Sequence, residues 1–363
     1  MIEAVLRQLA ALVSFDTRNP PRAIAAEGGI FGYLLGQLAG FHVEVTDHGA
    51  GAVSLFAVRG QPRVLFNVHL DTVPDSHAWS ADPHMLRVEG GRAIGLGACD
   101  IKGAAAALVA VAQSMPGDLA LLFTSDEEAN DPRCIHAFLQ RDHGFKDVVV
   151  AEPTRCQAVL AHRGISAVRM EFRGDAGHAS GAQALQASAL HRAMRWGVRA
   201  LEHVEAHAAQ AFGGLQGLRF NIGRVEGGIK ANVIAPRAEV RFGFRPLPSQ
   251  SMDALHAQFR GFAKDEADYE ETFRGPSLPA GDAADAERRR RDAQSLAESL
   301  QLPIGDAVDF WTEASLFSAA GMNAIVYGPG DIAQAHAADE WVALDELQRY
   351  AASIQRILST PSQ

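Results

Sequence analysis

The chain has 363 residues, a formal net charge of -10, a hydrophobic fraction of 47% and a charged fraction of 21%. This length exceeds what one hydrophobic core usually serves, so two domains are expected. The composition is that of a globular enzyme, and the negative charge argues against a nucleic-acid-binding protein. The three cysteines form no closely spaced pair, which argues against a disulfide framework and a cysteine-rich metal site.

The first 160 residues predict alternating helices and strands. Residues near 1–40 show helical spacing of apolar residues, and residues 1–15 resemble an amphipathic helix rather than a signal peptide. The Ala-rich stretch 103–113 predicts a buried helix, and its apolar core is too short to span a bilayer. We therefore expect a cytoplasmic protein. Apolar runs predict strands at 53–58, 64–69, 119–124 and 147–151.

A different pattern begins after Glu152. Residues 165–172 alternate apolar and polar side chains, as do residues 218–225 and 238–244, and this alternation is typical of half-buried antiparallel strands. A helix is expected at 183–203. The alternating pattern of the first part returns from about residue 275, with short apolar runs at 308–311 and 324–327 and a closing helix at 344–358. We expect an α/β domain with a mostly parallel sheet, interrupted by a smaller α+β domain.

Polar, chemically capable side chains follow four of the predicted strands. They are His69 and Asp71, the run Asp126-Glu127-Glu128, Glu152, and His336, while Asp100 stands at the start of the buried helix. Each motif alone is also typical of a polar cap or a solvated loop. Open α/β sheets, however, place their sites beyond the carboxyl ends of strands. Histidine and carboxylate ligands without cysteine suit Zn²⁺, Co²⁺ or Mn²⁺, and the -3 charge of Asp100, Glu128 and Glu152 suits two divalent cations.

These motifs resemble the dinuclear-zinc family that contains acetylornithine deacetylase, succinyl-diaminopimelate desuccinylase, aminoacylase and glutamate carboxypeptidase. The chain departs from the family pattern at Val68, where glycine is usual, and at Asp339, where many members have asparagine. Neither change removes a ligand. The motifs that carry the resemblance, in the family's order, are 69–74, 97–103, 126–128, 152–154, 177–180, 244–248, 312–314 and 328–336.

The resemblance implies a fold and a domain division. The fold would be a zinc-aminopeptidase-like catalytic domain with a mostly parallel central sheet, formed by residues 1–162 and 275–363. Residues 163–274 would form an inserted α+β, ferredoxin-like domain that mediates a homodimer. A cis peptide bond after Asp100 is also implied.

The resemblance also implies a role for each site residue. His69 and Glu152 would bind one metal ion, Glu128 and His336 the other, and Asp100 would bridge them. Asp71 would orient His69, and Glu127 would act as the general base. Zinc is the expected metal, with cobalt as an alternative. In the inserted domain, His178 and Asn232 would stabilise the oxyanion in a partner subunit's site, and Arg245 would bind the substrate's α-carboxylate, with Thr312 as a further contact.

Within the family the acetylornithine deacetylase branch is the most similar. The expected reaction is removal of the acetyl group from an N-acetylated α-amino acid in arginine biosynthesis, with N-acetyl-L-citrulline as the expected substrate. N-acetyl-L-ornithine or another N-acyl amino acid is the alternative, because the sequence does not locate the pocket for the substrate's side chain. A catalytically silent, metal-binding scaffold of the same fold is an alternative from a different class.

Overall fold

A computed structural model describes residues 1–281 and 283–359. The last four residues of the predicted catalytic domain, and Asp282, lie outside the described residues. The α-helices are α1 (Ile2–Val13), α2 (Gly29–Gln37), α3 (Lys102–Ser114), α4 (Arg133–Leu139), α5 (Ala184–Ala187), α6 (Ala189–Ala206), α7 (Met252–Ala263), α8 (Ala283–Ser299), α9 (Ala314–Ala319) and α10 (Leu344–Ser359).

The strands alternate with these helices along the first 150 residues and again near the end. They are β1 (His42–Asp47), β2 (Val53–Arg59), β3 (Val64–His69), β4 (Arg87–Glu89), β5 (Arg92–Ile94), β6 (Leu119–Thr124), β7 (Asp147–Val150), β8 (Ile165–Arg173), β9 (Gly177–His178), β10 (Ala211–Phe212), β11 (Leu215–Gln216), β12 (Arg219–Gly227), β13 (Val233–Ile234), β14 (Arg237–Arg245), β15 (Ala267–Gly275), β16 (Asn323–Val326) and β17 (Trp341–Ala343).

The chain divides into two compact units. The first comprises Met1–Leu160, Arg289–Gly305 and the residues from Thr312 onward, and the second comprises Ala161–Arg288 and Asp306–Trp311. The boundaries expected from the sequence, at residues 162/163 and 274/275, remain a prediction. Among the described residues, no helix combines the length and the apolar character needed to cross a bilayer.

The first unit is built on a six-stranded sheet in the order β1-β2-β6-β3-β7-β16. The pairs β6–β3, β3–β7 and β7–β16 are parallel, whereas β1–β2 and β2–β6 are antiparallel. The mostly parallel sheet predicted from the apolar runs is therefore confirmed. Strand β6 is buried along its whole length, and so is helix α3 from Lys102 to Ala112, because elements of the core flank both. Four parallel strands consequently end at one edge of the sheet.

The prediction of continuous helix near residues 1–40 is wrong between α1 and α2. Residues 14–28 form turns and a bridge instead. Pro20 and Pro21 in this segment lack backbone N–H groups, and Gly28 has a φ of 75°, so an α-helix cannot run through it. A second break separates α5 from α6 within the predicted helix at 183–203. There the extended backbone of Ser188 caps α6, and its hydroxyl accepts a bond from the N–H of His191.

The second unit contains a four-stranded antiparallel sheet in the order β12-β14-β8-β15. With α6 after β8 and α7 after β14, its chain order is strand–helix–strand–strand–helix–strand, which is the ferredoxin-like arrangement. Strand β8 alternates buried and half-buried residues, as its sequence predicted. The apolar face of the sheet packs with both helices around aromatic side chains, among them Trp196, Phe242 and Phe259. The run 308–311 forms no strand, and only Val308 bridges to His162.

Candidate metal centre

The five predicted metal ligands all belong to the first unit, and the structure brings them together in two groups. One group is His69, Asp100 and Glu152, and the other is Asp100, Glu128 and His336. Within each group, one potential ligand atom per residue lies within 4.8 Å of the others. His69 ends β3, Glu128 follows β6, Glu152 follows β7, and the loop to His336 follows β16. The parallel strands therefore deliver four of these side chains to one edge of the sheet.

Asp100 is common to both groups, and its two carboxylate oxygens face different partners. Its Oδ1 lies 3.2 Å from Nε2 of His69, and its Oδ2 lies 3.2 Å from Nε2 of His336. Nε2 of His69 is also 3.9 Å from Oε1 of Glu152, and Nε2 of His336 is 3.1 Å from Oε1 of Glu128. One carboxylate thus spans two nitrogen-and-oxygen donor sets, as a bridging ligand must. The peptide bond from Asp100 to Ile101 is cis, which confirms the feature implied by the resemblance.

The electrostatics of this cluster fit a cation. The carboxylates of Asp100, Glu128 and Glu152 are at most 9% exposed. Burial and the neighbouring Asp100 raise the pKa of Glu152 well above its usual value. Hydrogen bonds that His336 donates to the carboxylates of Asp100 and Glu128 raise the pKa of this histidine to about 11. Buried carboxylates need a compensating positive charge, and the donor set of nitrogen and oxygen without sulfur suits Zn²⁺ and its neighbours in the first transition row.

Glu127 and Glu128 are adjacent in sequence but have different surroundings. Glu128 bonds to His336, whereas no hydrogen bond of the Glu127 side chain is present among the described residues. Burial, together with the charges of Glu128, Asp100 and Asp71, raises the pKa of Glu127 to about 8.

Asp126 is turned into the protein interior, where its Oδ2 accepts the N–H of Cys134 at 2.8 Å. The acidic run therefore supplies only two side chains to the cluster.

Asp71 is fully buried and contacts two of the site segments. Nδ1 of His69 is 3.0 Å from the backbone oxygen of Asp71 and 3.6 Å from its carboxylate. The backbone carbonyl is thus the nearer partner, although the sequence pointed to the carboxylate. Oδ2 of Asp71 instead accepts the backbone N–H of Glu128 at 3.0 Å and the side-chain amide of Asn19 at 2.9 Å. Asp71 therefore links the end of β3 to the loop that carries Glu128.

Sequence reasoning missed two buried residues next to the site, Asn19 and Glu340. Asn19 holds Asp71, and the carboxylate of Glu340 accepts backbone N–H bonds from the loop before Asp100. Asn19 lies in the segment that was wrongly predicted as helix, and its only signal was the following Pro20-Pro21. Glu340 lies four residues after His336, just beyond the last of the motifs that carry the resemblance.

A close approach between two strand ends also shapes the site. A Cβ atom on Gly328 would lie 2.5 Å from the backbone oxygen of Glu152. Only glycine therefore allows the chain leaving β16 to pass beside Glu152. The hydroxyl of Thr154 accepts the N–H of Gly328 at 3.0 Å, and this bond also joins the segments that follow β7 and β16.

The remaining predicted residues are distributed over both units. Thr312, in the first unit, is fully buried, and its hydroxyl accepts the N–H of Ala314 at the start of α9. His178 and Asn232, in the second unit, are exposed and adjacent, because β9 pairs with β13 and the N–H of Ala179 bonds to the backbone oxygen of Asn232. Arg245 ends β14 in the second unit and is half-buried. Their substrate-binding and catalytic roles remain predictions.

A profile of the peptidase family M20/M25/M40 matches residues 65–360 of the chain. The chain is 68% identical over 360 residues to the N-acetyl-L-citrulline deacetylase of Xanthomonas campestris pv. campestris, covering 99% of this chain and 98% of that protein. It is 30% identical over 387 residues to the acetylornithine deacetylase of Myxococcus xanthus, covering 99% and 97%.

Two solved structures show the same fold at low sequence identity. Aminopeptidase PepT from Bacillus cereus superposes with a TM-score of 0.73 at 19% identity, covering 99% of this chain and 98% of that chain. The YXEP protein of Bacillus subtilis, described as a dinuclear metal binding peptidase of the M20 family, superposes with a TM-score of 0.65 at 12% identity, covering 98% and 97%. By its profile and its near-complete alignment with deacetylases, the chain belongs to peptidase family M20/M25/M40.

Proposed function

We propose that the protein is a two-metal amidohydrolase that removes the acetyl group of N-acetyl-L-citrulline, releasing L-citrulline and acetate in arginine biosynthesis. The observation that carries the proposal is the position of Asp100, whose two oxygens each face a separate histidine and carboxylate pair. The substrate is inferred from the Xanthomonas campestris relative, which aligns over nearly all of both chains. A cytoplasmic location remains a prediction.

His69 and Glu152 would hold one metal ion, Glu128 and His336 would hold the other, and Asp100 would contact both. Zn²⁺ is the proposed metal, with Co²⁺ as the alternative, because both accept nitrogen and carboxylate ligands. When bound, such ions polarise a carbonyl oxygen and lower the pKa of water. The -3 charge of the three buried carboxylates supports two divalent cations rather than one, since a buried cluster is most stable near neutrality.

Glu127 would be the general base and then the general acid. Its carboxylate would take a proton from the attacking water and pass it to the amide nitrogen as the bond from that nitrogen to the acetyl carbon breaks. Two features support this role: Glu127 stands beside a proposed ligand, and no other described side chain occupies it with a hydrogen bond.

Arg245 would bind the α-carboxylate of the substrate. Asp309, the carboxylate near Arg245, bonds to Arg163 and lies 3.5 Å from Arg219, the residue opposite Arg245 in the pair of β12 and β14. Arg245 itself forms no ion pair within residues 1–281 and 283–359. Burial lowers the pKa of Arg245. A half-buried guanidinium without a carboxylate is suited to an anionic ligand, and its planar fork fits a carboxylate with two parallel bonds.

A homodimer through the second unit is also proposed. On α6, Met194, Val198 and Leu201 are each 47–60% exposed and follow one another at helical spacing, so they form one apolar face. Val225 on the edge strand β12 is exposed as well. Exposed apolar stripes of this kind mark protein interfaces. In the dimer, His178 and Asn232 would reach the partner's site and stabilise the oxyanion.

Metal binding should raise the melting temperature, because the ions neutralise three buried carboxylates. A free Zn²⁺ concentration 100 times the Kd should add about 2.7 kcal/mol of stability, which a chelator should remove. Differential scanning calorimetry with and without EDTA measures the effect. Asp100→Asn should lose most of this response, whereas the exposed His178→Ala control should keep it. An identical melting curve with and without metal would contradict the metal assignment.

Acetate release from a panel of N-acetyl amino acids tests the proposed substrate. We expect kcat/KM for N-acetyl-L-citrulline to exceed that for N-acetyl-L-ornithine by at least about tenfold, because a pocket that binds a neutral ureido group leaves the ornithine cation unpaired. Faster turnover of N-acetyl-L-ornithine would identify the activity of the Myxococcus xanthus relative instead. Absence of turnover in the two-metal protein would indicate a non-catalytic scaffold.

Glu127→Gln should lower kcat by about 10²- to 10⁴-fold, the range ascribed to general acid–base catalysis, because the amide cannot accept the proton. Its metal content should equal that of the wild type. Asp131→Asn, four residues further along the same loop, is the matched control and should retain nearly full kcat. An active Glu127→Gln variant would assign the base to another group.

Arg245→Ala should raise KM about 10- to 100-fold, since a bond to a charged group contributes about 1.5–3 kcal/mol. Metal content should not change. Arg241→Ala is the matched control, because Arg241 is an exposed arginine on the same strand and pairs with Glu239 at 2.7 Å. Equal KM values for the two variants would exclude Arg245 from substrate binding.

Val198→Asp should convert the dimer to a monomer, because it places a charge in the middle of the apolar face. Size-exclusion chromatography with light scattering measures the mass of both proteins. Val88→Asp, a similarly exposed valine on β4 of the first unit, serves as the control and should remain dimeric. A wild-type protein that is monomeric at micromolar concentration would refute the dimer.

A further inference from the structure

Glu340 is a buried carboxylate that lies four residues after His336 and is only 2% exposed. Its backbone position follows from strand pairing. Strands β17 and β5 are antiparallel, with Trp341 opposite Ile94, and the N–H of Gly95 donates to the backbone oxygen of Glu340 at 3.0 Å. The residue before β17 therefore lies against the start of the loop that leads from β5 to Asp100.

Both carboxylate oxygens of Glu340 bind this loop. Its Oε1 accepts the N–H of Cys99 at 2.8 Å and the N–H of Asp100 itself at 2.9 Å, and its Oε2 accepts the N–H of Gly97 at 3.2 Å. Three backbone donors thus converge on one side chain. An amide could not replace this carboxylate without loss, because it would turn its NH₂ group toward at least one N–H donor.

The segment from His336 to Glu340 is held at a second point. Asp339 accepts bonds from the Ser80 hydroxyl at 2.8 Å and from Nη2 of Arg87 at 2.8 Å. Both His336 and Asp339 have a φ near 56°, which is a left-handed conformation that aspartate and asparagine tolerate better than most residues. This tolerance explains how an aspartate can stand at 339, where many members of the family have asparagine.

We propose that Glu340 is a positioning residue that ties the His336 segment to the Asp100 loop and so sets the spacing of these two side chains. Asp100 and His336 are 236 positions apart in the chain, yet Oδ2 of one lies 3.2 Å from Nε2 of the other. The Glu340 carboxylate connects their backbones, because it bonds directly to the N–H of Asp100 and lies only four residues after His336. The inference rests on the proposed metal assignment.

Glu340→Gln tests the inference through metal affinity rather than activity. Competition with a chromophoric chelator should show Zn²⁺ held about 10- to 100-fold more weakly than in the wild type, the range found when partners of metal ligands are removed. The visible absorption spectrum of the Co²⁺-loaded protein should also change, because it reports ligand geometry. Glu346→Gln is the matched control, since Glu346 accepts one backbone N–H, that of Gly330, and does not touch the Asp100 loop.

Unchanged Zn²⁺ affinity and an unchanged Co²⁺ spectrum in Glu340→Gln would overturn the inference. If that variant does not fold, hydrogen exchange in the wild-type protein decides instead. The amides of Gly97, Cys99 and Asp100 should be protected although they belong to no helix or strand, and exchange at unprotected rates would overturn the inference. Wild-type protein that fails to bind Zn²⁺ at all would refute the metal assignment, so the two failures are distinguishable.

Discussion

A cluster of buried negative charge dictates how the elements around it are arranged. Asp100, Glu128 and Glu152 lie together with little exposure to solvent, and the nearest positive partners are two histidines, one of which is half-exposed. Carboxylates in such a place repel one another and lose their hydration, which is tolerable only if cations compensate. The arrangement is therefore suited to binding metal ions. The side chains around it hold the carboxylates close together against their mutual repulsion.

The fold supplies this arrangement through its parallel strands. Because β3, β6, β7 and β16 run in the same direction, their carboxyl ends meet at one edge, and the residues that follow them share a small region. The strands bring the side chains near one another but do not set their orientation. Orientation comes from bonds between loops: Asp71 holds the backbone of Glu128, Asn19 holds Asp71, and Glu340 holds the loop of Asp100.

The second unit has a different physical organisation, and its proposed roles follow from it. Its sheet is antiparallel and has one face packed against helices, so its other residues remain exposed and available to a substrate or a second subunit. Two features are not required by folding alone: the apolar face of α6, and the guanidinium of Arg245, which forms no ion pair among the described residues. We propose a second chain as the partner of the apolar face and a substrate carboxylate as the partner of Arg245.

Local periodicity and the order of motifs were enough to predict the buried strands, the helix α3, the two contrasting patterns of alternation and the residue types of the site. The sequence also predicted helix across residues 14–28, where two prolines prevent it. Three further facts emerge only from the folded chain: Asp100 divides its oxygens between His69 and His336, a backbone carbonyl is the nearer partner of His69, and Asn19 and Glu340 bond to the site segments. These facts depend on contacts between residues far apart in the chain, and no local pattern encodes such distances.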